Sequence, residues 1–286
     1  MTPHLLIAGL GYSGTAIARA ARAAGMSITA TTRDPAGKSP PDGVTLIPFA
    51  AIGEVLPTAT HLVITAAPTE TGDPILTEHE ADLNRATNLR WIGYCSTTGI
   101  YGDHGGGAVD ETTPPAPGTD RTRRRVAAET AWSQRAAHHA VDILRLAGIY
   151  GPGRSVLDDL RHGTARRIDK PGHKFSRIHV DDIAHGTMAA IATATATTGT
   201  RILNFSDDEP APSATVITYA ATLLGISPPP PIPFEDAKRT MSPMALSFWS
   251  ENRVVLNHHT KIALGLAWRY PSYREGLAAI MEVEGK

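Results

Sequence analysis

Three segments of the 286-residue chain carry residue types at spacings that could do chemistry. The first, Gly9-Leu10-Gly11-Tyr12-Ser13-Gly14, matches G-x-G-x-x-G between an apolar run, His4–Ala8, and an alanine-rich stretch. In a strand-turn-helix setting Gly9 permits the tight turn, Gly11 lets the backbone approach a pyrophosphate, and Gly14 lets the helix pack close to the strand. The helix N-terminus then offers free N–H groups to phosphates. Tyr12 and Ser13 fall inside this loop, and the chemistry it predicts is dinucleotide binding.

The second segment is Thr31-Thr32-Arg33-Asp34, at the end of the next strand-like run. An acid at the strand tip bonds the ribose hydroxyls of NAD and repels a 2′-phosphate, whereas an arginine welcomes that phosphate. Thr32 at the tip followed by Arg33 favours NADP; NAD stays open through Asp34, which can instead cap the turn at Pro35. Ala66-Ala67-Pro68 would place small residues beside the same cofactor. The third segment is the cluster Arg121, Arg123, Arg124 and Arg125, four arginines in five positions at a predicted helix start. It reads either as a solvated face or as an anion site for a substrate phosphate or carboxylate.

The elements that must position these residues alternate. Strands are predicted at His4–Ala8, Ser27–Thr32, 61–66, 89–96 and Ala140–Leu146, with helices at 13–24, 121–138, 213–224 and 273–281. Such alternation implies a Rossmann-type, doubly wound α/β sheet whose ligands sit at the carboxyl ends of its strands. His179 is expected to end a short strand, with Asp181 or Asp182 as N-cap of the following helix. Cys95, among apolar strand residues, is expected to be a buried, inert thiol.

Composition narrows the classes. With 27 Lys plus Arg against 28 Asp plus Glu the chain has no broad nucleic-acid footprint, and a single cysteine excludes an intramolecular disulfide framework and a thiolate metal site. His138-His139 and His258-His259 are adjacent pairs that project in different directions, so no metal is predicted. No apolar run approaches the roughly 18–20 residues of a membrane span. With strand-like residues from His4, leaving no room for a signal peptide, the expected location is cytoplasmic.

Several further segments, in order, resemble the extended and atypical short-chain dehydrogenase/reductase superfamily of NAD(P)-dependent epimerases and dehydratases. They are Ser96-Thr97-Thr98-Gly99-Ile100-Tyr101-Gly102, Asp110-Glu111-Thr112-Thr113-Pro114, Leu144-Arg145-Leu146-Ala147-Gly148-Ile149-Tyr150-Gly151-Pro152-Gly153-Arg154, Ile178-His179-Val180-Asp181-Asp182 and 204–210. The resemblance implies catalysis by a Ser or Thr, a Tyr, and a Lys four residues after the Tyr. Thr97 matches the first. The helix segment 125–129 resembles the family's Lys-x-x-x-Glu and places Arg125 at the lysine and Arg121 at the tyrosine. Arginine stays protonated throughout the working pH range, so Arg121 cannot exchange a proton as that tyrosine does. Tyr101 is then the substitute proton carrier, weighed against a packing role. The glycine spacing and the missing pair together resemble a subgroup of NAD(P)-binding epimerase-like proteins.

The resemblance also implies a cofactor domain (1–150 and 176–206) and a small substrate lobe (151–175 and 207–286), with Arg154 and Arg253 as candidate substrate-binding cations. It leaves homodimerisation through the long helix as the assembly to consider. The expected activity is that of an NAD(P)-dependent epimerase, dehydratase or reductase on a polar metabolite such as a nucleotide sugar. The alternative is a non-catalytic NADP(H)-binding sensor.

Overall fold

The structure, a computed structural model, describes residues 2–194 and 198–284. Seven strands form the central sheet: β1 (His4–Ala8), β2 (Ser27–Thr32), β3 (Val44–Pro48), β4 (His61–Ile64), β5 (Trp91–Thr97), β6 (Ala140–Leu146) and β7 (Gly199–Phe205). Their spatial order is β7-β6-β5-β4-β1-β2-β3, and every neighbouring pair is parallel. The inner strands read as continuous apolar runs because helices cover both faces, leaving no side of the sheet for water. One face packs Ile17, Ala18 and Ala21 of α1 (Tyr12–Ala23) with Ile183 and Ala184 of α4 (Val180–Thr193). The other packs Ala128 and Trp132 of α2 (Asp120–Ser133) with Leu62 and Tyr94. The chain reverses its direction of travel across the sheet between β1 and β4, which opens a crevice at their carboxyl ends.

Strand β3 was not expected. It is an edge strand, partly exposed and ending on Pro48, so it lacks the apolar run that marks the inner strands. Strand β4 stops at Ile64 rather than residue 66, because the N–H groups of Thr65 and Ala66 both turn back to the Ala8 carbonyl at 3.0 Å. The long helix predicted over 121–138 is α-helical only to Ser133 and tightens into a 3₁₀ turn at Gln134–Ala137. Its start is fixed by Thr119 and Thr122, which bond each other's backbone N–H.

The N-cap expected at Asp181 or Asp182 is instead His179, whose Nδ1 accepts the Asp181 N–H at 3.2 Å. Asp182 is fully buried and accepts the N–H groups of Arg269 at 2.7 Å and Tyr270 at 2.9 Å, tying α4 to a distant loop. A second, smaller core gathers Leu157 and Leu160 of α3 (Val156–Arg161), Ile217 and Ala220 of α5 (Ser213–Leu223), and Tyr273 and Leu277 of α7 (Tyr273–Glu284). Between the last two runs the short α6 (Pro243–Trp249). Among the described residues no helix is long and apolar enough to cross a membrane.

One buried acid gives the fold a pH signature. Asp207, just past β7, is 1 % exposed; burial raises its pKa to about 8, opposed by the nearby Arg177 guanidinium. An acid whose folded pKa lies above its unfolded value of about 3.9 contributes stability that is complete below pH 4 and is lost as pH rises towards 8. Urea unfolding across this range should therefore show a decline for the parent that is flattened in Asp207→Asn. Equal slopes for the two proteins would remove Asp207 as the cause.

Candidate functional site

The glycine loop is held on three sides. Gly9 has φ +108° and a Cβ there would lie 2.8 Å from Thr65 Oγ1; its N–H donates to Thr31 Oγ1 at 3.1 Å, and its carbonyl accepts the Thr65 hydroxyl at 2.5 Å. A Cβ on Gly14 would sit 2.4 Å from that same carbonyl, so only glycine lets α1 approach β1 this closely. Gly11 is the N-cap of α1 and has no heavy atom within 4 Å of its Cβ position. No side chain caps this helix start, where Ser13 lies half-buried, and its first N–H groups are available to an anion.

Gly9, Gly11, Thr32, Arg33, Ala66 and Ala67 wall one cavity of about 600 Å³ at the carboxyl ends of β1, β2 and β4. These residues come from three separated segments of the chain; Tyr12, Ser13 and Gly14 are not among the residues that wall this cavity. Arg33 stands exposed on the rim with no ion-pair partner among the described residues. Asp34 accepts the Ala36 N–H at 3.0 Å through one carboxylate oxygen, a turn-capping contact. Lys38, which sequence reasoning passed over, also walls the cavity, and its ammonium donates to the Leu10 carbonyl. The available signal was a second cation in the loop after β2.

Tyr12 leaves the loop sideways. Its hydroxyl donates to the Pro152 carbonyl at 3.0 Å, and burial raises its pKa to about 12, keeping the phenol protonated at neutral pH. Arg154 lies over this ring, Cζ 5.6 Å from the centroid. The expected substrate cation thus sits beside the glycine loop and away from the cavity that holds Thr97.

That second cavity, about 140 Å³, lies at the end of β5. Thr97, Arg121, Lys174, Phe175, Phe248 and Arg253 are among its walls. Thr97 Oγ1 accepts the Gly99 N–H at 3.1 Å, which leaves the threonine O–H to donate elsewhere. Arg121, exposed at the start of α2, lies over Phe248 with Cζ 4.6 Å from the ring centroid. Arg253 donates to the Gly102 carbonyl at 2.7 Å and to Glu251 at 2.8 Å. Lys174, Phe175 and Phe248 come from segments where the sequence offered no motif.

Two candidates are placed elsewhere. Arg125 turns onto the inner strand β5, where one nitrogen donates to the Cys95 carbonyl at 2.7 Å and to the Tyr94 hydroxyl at 3.1 Å; it is not among the residues that wall the Thr97 cavity. Tyr101 is fully buried, donates to Asn204 Oδ1 at 2.8 Å and accepts from Arg145 at 2.9 Å. Its hydroxyl is spent on the core, so the proton-carrier role gives way to the packing role. Cys95 is buried as expected, and burial raises its thiol pKa to about 12.

No protein-family model matches the chain. It is 30% identical over 214 residues to the 3-diazoavenalumate denitrifying reductase of a Streptomyces species, spanning 70% of this chain and 68% of that protein. A functionally unknown conserved protein from Silicibacter pomeroyi has a solved structure that superposes with a TM-score of 0.89 at 42% identity, covering 99% of both chains. The human epimerase family protein SDR39U1, solved with NADPH, shares the fold at a TM-score of 0.74 and 21% identity, over 98% of this chain and 99% of that one. With a parallel seven-stranded sheet, a G-x-G-x-x-G turn at its crevice and these relatives, the chain belongs to the short-chain dehydrogenase/reductase superfamily, among its NAD-dependent epimerase/dehydratase-like members.

Proposed function

We propose that the protein is an NADP(H)-dependent reductase that exchanges hydride with a small polar metabolite held beside Thr97. The observation that carries this reading is positional. The glycine loop after β1 and Thr97 at the end of β5 lie on one edge of a parallel sheet, two strands apart, so a dinucleotide on the first extends towards the second. The fit rests on the Gly9–Gly14 contact that a Cβ would break and on the uncapped start of α1. Gly9, Gly11, Tyr12, Ser13 and Gly14 would hold the pyrophosphate, Arg33 with Lys38 a 2′-phosphate, and Ala66 and Ala67 the space beside the ribose. A bound nicotinamide supplies or accepts the hydride. Thr97 would donate its O–H to the substrate oxygen or nitrogen, and Arg121 would orient the substrate without exchanging a proton. A related reductase at 30% identity and an epimerase-family fold solved with NADPH support the same chemistry. In this reading 1–150 and 176–206 bind the cofactor, and 151–175 with 207–286 form the substrate lobe.

The second reading is a sensor that binds NADP(H) without turnover. It is favoured by Arg125, which stands at the family's lysine position yet is directed to Cys95 and Tyr94. Calorimetric titration with NADPH, NADH, NADP⁺ and NAD⁺ tests the common premise. NADPH should bind tightest, and Arg33→Ser should weaken it roughly tenfold, the loss of one charge-assisted contact, while leaving NADH nearly unchanged. No heat with any of the four ends both readings. Oxidation of NADPH with some member of a panel of carbonyl, diazo and nucleotide-sugar compounds then supports the reductase; binding with silence across the panel supports the sensor.

A further inference from the structure

We propose that the cavity beside Thr97 selects a small, flat arenecarboxylate, with Arg121 receiving the carboxylate and Phe248 the face of the ring. This assignment rests on the reading of that cavity as the substrate site.

Size is the first argument. Sites for drug-sized ligands commonly enclose about 300–1,000 Å³. The Thr97 cavity encloses about 140 Å³, room for a single substituted ring and not for a whole nucleotide sugar.

Charge is the second. Four charged residues line the cavity: Arg121, Lys174, Glu251 and Arg253. Glu251 and Arg253 pair at 2.8 Å with both side chains largely buried, and Arg253 is further committed to the Gly102 carbonyl. Arg121 and Lys174 have no acidic partner among the described residues. The cavity therefore carries two uncompensated cations, and it favours an anion. A guanidinium presents its donors as a planar fork that matches a carboxylate.

The apolar wall is the third. Trp249 is anchored in an aromatic stack, with ring centroids 4.9 Å from Phe175, 5.4 Å from His173 and 5.6 Å from Phe234. This anchor fixes the end of α6, and the neighbouring Phe248 is left 51 % exposed at the cavity wall. A large aromatic side chain held in water on an anchored helix, with a guanidinium 4.6 Å from its centroid, offers a ring face and a cation at one place. A flat aromatic acid uses both; a neutral sugar leaves the cation without a counter-charge, and inorganic phosphate uses only the charge.

Calorimetry on the full chain with NADP⁺ present, titrating benzoate, benzamide, cyclohexanecarboxylate, phenyl phosphate and UDP-glucose, tests this assignment. Benzoate should bind, benzamide should bind roughly tenfold or more weakly, and Arg121→Gln should lower benzoate affinity by a similar factor. Phe248→Ala should bring benzoate and cyclohexanecarboxylate together, a gap of about three- to tenfold in the parent. Both side chains are solvent-exposed, and unchanged NADPH affinity in the variants shows that the fold is intact. Equal binding of benzoate and benzamide, an unaltered benzoate affinity in Arg121→Gln, or tighter binding of phenyl phosphate or UDP-glucose overturns the assignment. If NADPH binds and benzoate does not, the arenecarboxylate assignment fails and the cofactor reading stands. If benzoate binds to a chain that takes up no NADP(H), the cofactor reading fails and this cavity keeps its ligand.

Discussion

Gly14→Ala is expected to weaken NADPH binding by roughly tenfold to a hundredfold and to destabilise the fold by about 1–3 kcal/mol, the range for enforced local strain. The added methyl would lie 2.4 Å from the Gly9 carbonyl oxygen, and that oxygen cannot retreat. It accepts the Thr65 hydroxyl, and Gly9 is itself pinned by its N–H bond to Thr31. Either α1 lifts from β1 or the loop leaves its turn, and both displace the N–H groups offered to a pyrophosphate. Gly11→Ala separates the two effects. Its methyl meets no heavy atom within 4 Å, so thermal stability should stay near that of the parent while affinity falls because the methyl enters the cavity proposed for the cofactor. Calorimetry with NADPH beside thermal unfolding reads both quantities. Parent-like binding by Gly14→Ala would mean that the cofactor does not use this loop.

Glu129→Ala is expected to cost about 3–5 kcal/mol of unfolding free energy, the range for removing one partner of a buried ion pair. Glu129 accepts from Arg145 at 2.8 Å, with the two side chains 8 % and 3 % exposed. Arg145 also donates to the Tyr101 hydroxyl at 2.9 Å, and Tyr101 donates onward to Asn204 at 2.8 Å. Truncation leaves a guanidinium buried beneath α2 with its principal acceptor gone. The network joins α2, the turn after β5, β6 and β7, so the loss reaches the frame around Thr97 as well. The double change Glu129→Leu, Arg145→Met removes both charges and should recover most of the loss. Denaturant unfolding measures each. A Glu129→Ala cost near that of an exposed pair such as Asp120–Arg123 would show that water reaches Arg145.

Most of the sheet was legible because buried parallel strands must be apolar on both faces. β2 and β6 have the expected bounds, and β4 and β5 differ by one or two residues at their ends. The edge strand β3 was not, since an edge tolerates polar residues and a proline. The glycine loop was legible because strand, turn and helix start are contiguous and Gly14 answers a contact with Gly9 in the same loop, whereas the contact that requires Gly9 comes from Thr65 beyond β4. Arg33 and Asp34 were legible as a pair of alternatives; Arg33 has no ion-pair partner among the described residues, and Asp34 accepts the N–H of Ala36.

The cavity beside Thr97 was legible only in part. Thr97 and Arg121 could be aligned by spacing, yet spacing along a helix gives an angle around its axis and not the neighbour met there. Arg125 follows Arg121 by four positions on the same helix; Arg121 meets Phe248 and Arg125 the end of β5. Tyr101 occupies a motif position that suggests a proton carrier, and Asn204 and Arg145, more than forty residues away in sequence, claim its hydroxyl.

The order of residues along the chain was enough to establish the α/β class and to locate the glycine loop and the cations near it, because each depends on short-range periodicity or on contacts between adjacent elements. The size, charge and aromatic wall of the cavity beside Thr97 were settled by tertiary structure alone. That cavity is closed by side chains from β5, α2, the 174–176 segment, α6 and the 251–255 segment, and no local pattern states which of them will meet.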